Sequence, residues 1–222
     1  MFVKICGITS EEDALLAVAM DADAVGFVFA PSQRRVRPED VRDIVKRLPH
    51  ETMTVGVFRN ERPETVVETV NKVGLRAAQL HGGEPDSEVE YVTQRVPVVI
   101  RALPAGDERL EGAASWPTDL VLVDGPAPGS GQVFDWSLTT SVPTSVRLLL
   151  AGGLDPDNVT AAVQQVRPFG VDVSSGVEAS PGRKDPVKVR QFVERARQAA
   201  AAYEADGYEG GGEPPYDWMA DR

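Results

Sequence analysis

Short apolar runs and amphipathic stretches alternate along most of this chain. The apolar runs are rich in valine, and each ends near a glycine or a polar residue. Apolar runs separated by amphipathic helices are typical of buried parallel strands. The predicted strands are FVKIC at 2–6, AVGFVF at 24–29, MTVGVF at 53–58, AAQLH at 77–81, VPVVIRAL at 96–103, DLVLVDG at 119–125, VRLLLAGG at 146–153 and GVDVSSG at 170–176.

Helical periodicity follows nearly every strand, at 10–21, 38–48, 63–73, 86–94, 155–166 and from 185 on, and more weakly at 107–114. Start signals support these helices, namely Thr9 or Ser10, Pro38 and Asp155. Eight βα units in roughly 200 residues predict an α/β protein with one (β/α)8 (TIM) barrel domain. An open doubly wound sheet is the alternative, although it typically has five or six strands.

Two segments fall outside this alternation. The pattern stops after about residue 203, so we predict a barrel domain over 1–203 and a flexible acidic tail over 204–222, which is rich in glycine and proline. The loop GPAPGSGQVFDW at 125–136 is long and rich in small residues. It is either a mobile flap over a site or a plain flexible connection, and its place after a strand end favours the flap.

Composition excludes several classes of protein. The 222 residues include one cysteine and two histidines, His50 and His81, which argues against a disulfide and against a cysteine- or histidine-rich metal centre. No long apolar segment indicates a membrane span or secretory signal, and we expect a cytoplasmic protein. The net charge is −11 without a basic stripe, which excludes a typical nucleic-acid binder. An anionic ligand would need local positive potential, from particular arginines or from helix N-termini.

Chemically capable side chains stand at the ends of several predicted strands. Active sites of (β/α)8 barrels lie at the C-terminal ends of their strands. Cys6 ends the first, His81 the fourth and Asp124 the sixth. A thiol and a carboxylic acid at one mouth suggest a base and an acid facing a shared cavity. The alternatives are that Cys6 is a small buried apolar residue and that Asp124 is a turn aspartate before glycine.

The last two strand ends carry glycine and serine, which offer backbone N–H groups rather than an acid or a base. Gly152 and Gly153 follow the seventh strand, and Ser174, Ser175 and Gly176 follow the eighth. Backbone N–H groups ahead of helix starts can bind an anion, and barrels often bind phosphate between these two loops. Either loop alone could equally be a tight turn, but the pair favours a phosphate site.

Strand alternation suggests how a thiol base would be tuned. Lys4 lies on the same face as Cys6, and barrel closure would place Asp172 of the eighth strand beside the first strand. A buried lysine needs an anion, so we expect Lys4 to pair with Asp172 and to favour the Cys6 thiolate. The alternative is that Lys4 faces elsewhere or only stabilises the barrel. Gln79 is expected to fill a layer of the barrel interior.

A set of motifs in one order resembles a known family. KICGIT, AVGFVF, GVFRN, QLHGGE, LVDG, GSGQVFDW, LAGGLDPDNV and GVDVSSGVEASPGRKD resemble phosphoribosylanthranilate isomerases of tryptophan biosynthesis, from residue 2 to about 200. The resemblance implies an Amadori rearrangement of N-(5-phosphoribosyl)anthranilate, a small phosphorylated substrate, with Asp124 as general acid and Cys6 as general base. It implies no metal or organic cofactor, and we expect a monomer.

The same resemblance bears on the other polar candidates. In SQRRV, Arg34 matches the arginine that meets the anthranilate carboxylate, and Arg35 falls where a tyrosine is common. Which guanidinium acts stays open, as does the possibility that both are solvated loop arginines. With the chemistry given to Cys6 and Asp124, His81 is expected to line the cavity or to be structural, and His50 has no assigned task.

Two other functions are alternatives for a barrel of this kind. The related barrel isomerases of histidine biosynthesis carry an aspartate at the first strand end and two half-barrel repeats, whereas this chain has Cys6 and no clear repeat. The other alternative is an inactive barrel that binds a phosphorylated ligand or acts as an interaction protein, and the presence of both Cys6 and Asp124 argues against it.

Overall fold

Eight parallel strands close into a barrel in this computed structural model, which describes residues 1–125 and 134–205. Each strand pairs with the next along the chain, and the eighth pairs with the first, which confirms the predicted (β/α)8 fold. The strands are β1 Phe2–Ile5, β2 Ala24–Val28, β3 Met53–Phe58, β4 Ala77–Leu80, β5 Val98–Pro104, β6 Leu120–Asp124, β7 Leu148–Leu150 and β8 Gly170–Val173.

Helices surround the barrel and join most of the strands. The α-helices are α1 Glu11–Ala19, α2 Pro38–Val45, α3 Pro63–Val73, α4 Asp86–Thr93, α5 Val159–Val166 and α6 Pro186–Ala205. Three 3₁₀ helices cover Glu108–Ser115, Trp136–Ser141 and Ser175–Val177, and a small antiparallel pair joins β9 Glu178–Ser180 to β10 Arg183–Lys184. None of the helices within the described ranges is both long and apolar enough to cross a membrane.

The connections on either side of β6 differ from the expected α-helices. The weak helix at 107–114 is a 3₁₀ helix, because Gly112 and Pro117 leave little room for a regular α-helix. The connection after β6 contains a second 3₁₀ helix, in which Thr139 and Thr140 donate hydroxyl hydrogen bonds to carbonyls three residues earlier. Such local bonds compete with the α-helical ladder.

Helix starts follow the capping signals with one shift. Ser10, one of the two expected caps, accepts the backbone N–H of Asp13, and Pro38 is the first residue of α2. The helix expected from residue 155 begins at Val159. Asp155 accepts the N–H groups of Asp157 and Asn158, and this turn precedes the helix.

Two predicted segments extend beyond the described residues. Residues 126–133 of the predicted flap and 206–222 of the predicted tail lie outside them, so the flap, the tail and the boundary at residue 203 stay predictions.

Side-chain alternation along the strands separates two apolar layers. Val3 and Ile5 of β1 face outward and pack beneath the helices with the largest buried cluster. Inward-facing residues such as Ile100 and Leu122 fill the interior of the barrel. This two-layer packing fixes which strand-end side chains point into the barrel mouth, because one face of each strand must meet the helices.

The seam that closes the barrel carries a buried ion pair. In the β1–β8 register Lys4 stands opposite Asp172, and Lys4 Nζ donates a 2.8 Å hydrogen bond to Asp172 Oδ1. The Lys4 side chain has no solvent exposure. Burial by itself lowers the pKa of Lys4, but the Asp172 carboxylate and Cys6 more than offset it, so this pKa lies above its ordinary value. The predicted pairing is therefore present, and Lys4 stays charged at neutral pH.

Removing the carboxylate of this pair should destabilise the barrel strongly. Asp172→Asn leaves an uncompensated ammonium inside the barrel, and we expect the free energy of unfolding to fall by about 3–5 kcal/mol. Chemical denaturation at neutral pH measures the loss. Glu194→Gln, which removes the exposed partner of Arg190, is the matched control and should change stability by about 0.5 kcal/mol or less. Equal effects of the two variants would contradict a structural role for the seam pair.

Candidate active site

Three of the predicted site residues end strands and point into the barrel. Cys6 continues the inward face of Lys4, and its N–H donates to Val173 O at 2.8 Å. Asp124 continues the inward face of Leu122, and His81 continues that of Gln79. Because all three stand at or one residue beyond the C-terminal ends of their strands, alternation turns them toward one mouth.

Glycine makes room for the thiol. A Cβ at Gly26 of β2 would lie 2.8 Å from Cys6 Sγ and 3.2 Å from Lys4 Cε, which is closer than van der Waals contact allows. The missing side chain at Gly26 therefore lets the sulfur and the lysine stem occupy the same side of the barrel. Cys6 is a free thiol with only 7 % of its surface exposed.

Burial and neighbouring charges act on the Cys6 pKa in opposite directions. Burial raises the pKa of the Cys6 thiol, and this effect exceeds the lowering by the neighbouring Lys4 ammonium. Asp172 raises the pKa further, and Lys184 lowers it slightly. Lys4 thus acts on the Cys6 pKa in the predicted direction, but its effect is smaller than that of burial.

Asp124 contacts the backbone after its strand and the ring of His81, which in turn contacts Gln79. Its Oδ1 accepts the N–H of Gly125 at 2.7 Å, and its Oδ2 lies 3.3 Å from His81 Nε2. On the other side of the ring, His81 Nδ1 lies 3.0 Å from Gln79 Nε2. A Gln79 amide that donates to Nδ1 fits the tautomer with the proton on Nε2, the ring nitrogen on the Asp124 side, which makes no hydrogen bond within the described residues. His81 therefore lines the mouth beside Asp124, and Gln79 lies within the barrel beneath it.

The loops after β7 and β8 meet at the same end of the barrel. Gly152 and Gly153 both have positive φ, at 89° and 66°, a conformation that glycine adopts without strain. A side chain at Gly152 would collide with Gly125 N, and one at Gly176 would collide with Leu154 O. The two glycine-rich loops therefore touch each other, and the first of them also touches the Asp124 strand end.

The long helices begin at a distance from these loops. After β8 the 3₁₀ turn Ser175–Val177, β9 and β10 all precede α6, and after β7 the α5 helix begins six residues beyond Gly153. Backbone N–H groups, rather than the dipole of a long helix, are what these two loops offer to an anion.

The two arginines of SQRRV have different environments. Arg35 is exposed, whereas the Arg34 side chain is only 18 % exposed and lies over Gly7, where an added Cβ would also come within 2.7 Å of Ser174 Oγ. Arg34 Nε and Nη2 donate to the two carboxylate oxygens of Glu178 at 2.7 and 2.8 Å. Only Arg34 has its guanidinium beside the loop after β8.

Sequence reasoning missed two residues at this mouth. Glu178 and Lys184 are buried and joined by a 3.1 Å ion pair, and Lys184 Nζ also donates to Ser174 O. Both stand in GVEASPGRKD, Glu178 in β9 and Lys184 in β10 of the hairpin. Their burial depends on the hairpin folding back over the mouth, which periodicity does not reveal.

The arrangement is that of a (β/α)8-barrel enzyme whose site lies at the C-terminal end of the strands. Within 1–125 and the described residues after 134, no three His, Cys, Asp or Glu side chains cluster as metal ligands. The mouth brings together side chains suited to proton transfer and backbone suited to anion binding.

Comparison with known proteins identifies the family. The family model of N-(5'-phosphoribosyl)anthranilate (PRA) isomerase matches residues 3–195. An N-(5'-phosphoribosyl)anthranilate isomerase of Thermotoga petrophila is 48 % identical over 201 residues, covering 88 % of this chain and 98 % of that protein. One of Desulforudis audaxviator is 48 % identical over 204 residues, covering 89 % and 98 %. The chain belongs to the phosphoribosylanthranilate isomerase family, and it is an enzyme of the isomerase class.

Solved structures agree with this assignment. The phosphoribosylanthranilate isomerase of Thermus thermophilus superimposes with a TM-score of 0.84 at 42 % identity, covering 89 % of this chain and 99 % of that one. Another, with a TM-score of 0.79, 42 % identity and the same coverage, is a complex with reduced 1-(o-carboxyphenylamino)-1-deoxyribulose 5-phosphate.

The protonation of Cys6 can be measured directly, since it is the chain's one cysteine. Because burial raises its pKa, the rate of alkylation by iodoacetamide should keep rising at a pH above the midpoint measured for the unfolded chain. Lys4→Met should move the midpoint higher, and Asp172→Asn should move it lower, since the two neighbours act in opposite directions. Circular dichroism checks that each variant is folded. A midpoint that Lys4→Met leaves unchanged would contradict the tuning by Lys4.

The space at Gly26 gives a separate prediction. In Gly26→Ala the new methyl group must displace the Cys6 sulfur or the Lys4 stem, so we expect altered alkylation kinetics and a destabilisation of about 1–3 kcal/mol. Gly112→Ala is the matched control, because a Cβ there meets no atom within 4 Å. Alkylation and thermal unfolding of both variants test this, and unchanged kinetics in Gly26→Ala would show that the site tolerates the methyl group.

Proposed function

We propose that this enzyme catalyses the Amadori rearrangement of N-(5-phosphoribosyl)anthranilate to 1-(2-carboxyphenylamino)-1-deoxyribulose 5-phosphate in tryptophan biosynthesis. The family supports the substrate, since the similar proteins are named for it and one solved relative holds a reduced form of this product. The observation that supports the mechanism most is that Cys6 and Asp124 both end strands on inward-facing positions of one barrel mouth.

The reaction needs an acid at the ring oxygen and a base at C2. In the proposed mechanism, the Asp124 carboxylic acid protonates the ring oxygen while the lone pair of the anilinic nitrogen opens the furanose to a Schiff base. The Cys6 thiolate then takes the proton from C2 and leaves an enolamine, which tautomerises to the ketone. The substrate's own nitrogen supplies the electrons, so the mechanism uses no metal or organic cofactor.

The surrounding groups support these two roles. Lys4 lies beside Cys6 and lowers the pKa of a thiol that burial otherwise raises, which increases the fraction available as base. The N–H of Gly125 donates to the Asp124 carboxyl group and holds its orientation, and the His81 ring lies beside it. Orientation matters because proton transfer requires hydrogen-bond distances to the reacting atoms.

The two charged ends of the substrate have separate proposed partners. The loops with Gly152, Gly153 and Ser174–Gly176 bind the phosphate through backbone N–H groups, supported by their mutual contact beside Asp124. Arg34 binds the anthranilate carboxylate, supported by its partly buried position over Gly7, while Arg35 is exposed. A guanidinium suits this task because it can bind a carboxylate through two parallel hydrogen bonds.

Two broader expectations accompany this proposal. A monomeric state stays a prediction from the sequence. A cytoplasmic location stays a prediction from the sequence.

Turnover of the purified chain tests the function. Wild-type protein should convert N-(5-phosphoribosyl)anthranilate, and Cys6→Ala and Asp124→Asn should each lower kcat/KM by about 10²–10⁴-fold, the usual contribution of one general acid or base. Formation of the aminoketose is followed by loss of substrate fluorescence or by chromatography.

The control variants and a second substrate make this assay decisive. Gly112→Ala, far from any side-chain contact, should keep wild-type turnover. The phosphorylated aminoaldose of histidine biosynthesis, offered under the same conditions, should be a much poorer substrate. Equal rates for wild type and both site variants would rule out the proposed mechanism, and preference for the histidine-pathway substrate would rule out the proposed function.

A further inference from the structure

Three charged side chains form a connected group at the barrel mouth. We call Arg34, Glu178 and Lys184 the charge cluster. Glu178 lies at the centre, with Arg34 bound to both of its carboxylate oxygens and Lys184 Nζ 3.1 Å from its Oε1. The exposed fractions of the three side chains are 18 %, 5 % and 0 %, so the cluster is largely shielded from solvent.

The way Glu178 contacts Arg34 leaves part of the guanidinium available. A guanidinium has five N–H donors in one plane. Glu178 accepts hydrogen bonds from Nε and Nη2, which form one edge of the planar guanidinium. Among the described residues no other acceptor contacts the Arg34 guanidinium through a hydrogen bond. The terminal side formed by Nη1 and Nη2 therefore remains suited to a second carboxylate.

The balance of charge in the cluster depends on Lys184. Arg34 and Glu178 alone would be neutral as a pair, and Glu178 would repel a second carboxylate that approached Arg34. Lys184, which donates to the same Glu178 oxygen as Arg34 Nε, restores a net positive charge. Burial favours a neutral Glu178, but Arg34 and Lys184 outweigh it and lower the pKa of that carboxyl group. Burial lowers the pKa of Lys184 below its ordinary value, and the Glu178 carboxylate offsets part of this effect.

The cluster also connects the two proposed ends of the substrate site. Lys184 Nζ donates to Ser174 O, in the loop proposed for phosphate, and Arg34 lies over Gly7 next to the Ser174 side chain. Glu178 follows this loop directly, at the start of β9. One buried group thus contacts both the arginine and the loop.

We propose that Glu178 and Lys184 are positioning residues for the carboxylate of the substrate. Glu178 holds the Arg34 guanidinium with its terminal side free, and Lys184 offsets the Glu178 charge so that an anionic ring substituent is attracted. This inference rests on the proposed function, because it assumes that Arg34 meets the anthranilate carboxylate.

The test compares two ligands that differ only in that carboxylate. The first is reduced 1-(o-carboxyphenylamino)-1-deoxyribulose 5-phosphate, and the second is the same compound with an unsubstituted phenyl ring. Calorimetry gives the dissociation constants, and their ratio is the carboxylate preference of each variant. Wild-type turnover of N-(5-phosphoribosyl)anthranilate is measured separately, so failure of the proposed function is seen independently of this ratio.

Lys184→Met tests the role of charge. It leaves Arg34 and Glu178 as a neutral pair, and we expect the carboxylate preference to fall on the order of tenfold, with a raised KM and little change in kcat. Adding Glu178→Gln returns the net charge to that of Arg34 alone, and part of the preference should return. An unchanged ratio in Lys184→Met, or a double variant no better than the single one, would overturn the charge role.

A second double variant tests the holding of Arg34. Lys184→Met with Glu178→Ala has the same net charge as the glutamine double variant but offers Arg34 no acceptor, so its carboxylate preference should be lower. Equal ratios would overturn the positioning role of Glu178. Asp40→Asn, which breaks the exposed bidentate pair with Arg37, is the matched control and should keep the wild-type ratio. A purely structural role would weaken both ligands equally in every variant and would also overturn the proposal.

Discussion

The ion pair between Lys4 and Asp172 fixes the closure of this barrel and, with it, the position of the thiol. Two strands from opposite ends of the sequence meet at this seam, and a slip of one residue would turn Lys4 toward the helices and an apolar side chain into the interior. Since a buried ammonium is tolerated only next to an anion, the pair permits one register. Cys6, the next inward-facing residue of β1, is thereby held at the mouth.

Close approach of backbone and side chains shapes the rest of the site. Gly26 leaves the space that Cys6 and Lys4 occupy, Gly7 leaves the space beneath Arg34, and Gly152 allows its loop to reach the end of β6 beside Asp124. These glycines carry no chemistry, yet each brings a reactive or charged group next to another element. The geometry of the site therefore depends on these glycines as well as on the reactive side chains.

The barrel mouth contains several cations, whereas the whole chain is negatively charged. The chain carries a net charge of −11, while Arg34, Lys184 and Lys4 surround the site with cations held by two carboxylates. These local cations attract an anionic substrate, because their potential inside a partly desolvated mouth outweighs that of the screened surface charges. The same desolvation raises the pKa of Cys6, so the environment that would favour substrate binding also limits the thiolate fraction.

The order of strands and helices, the closed barrel and the positions of Cys6 and Asp124 at strand ends were predictable from the sequence, because they follow from local periodicity and strand alternation. Two connections became 3₁₀ helices where local hydrogen bonds and glycine or proline competed with the α-helix. Only the tertiary structure decided that Glu178 and Lys184 are buried beside Arg34 and that the Cys6 pKa is raised. Burial arises when segments distant in sequence pack together, and both ion pairing and desolvation depend on that packing.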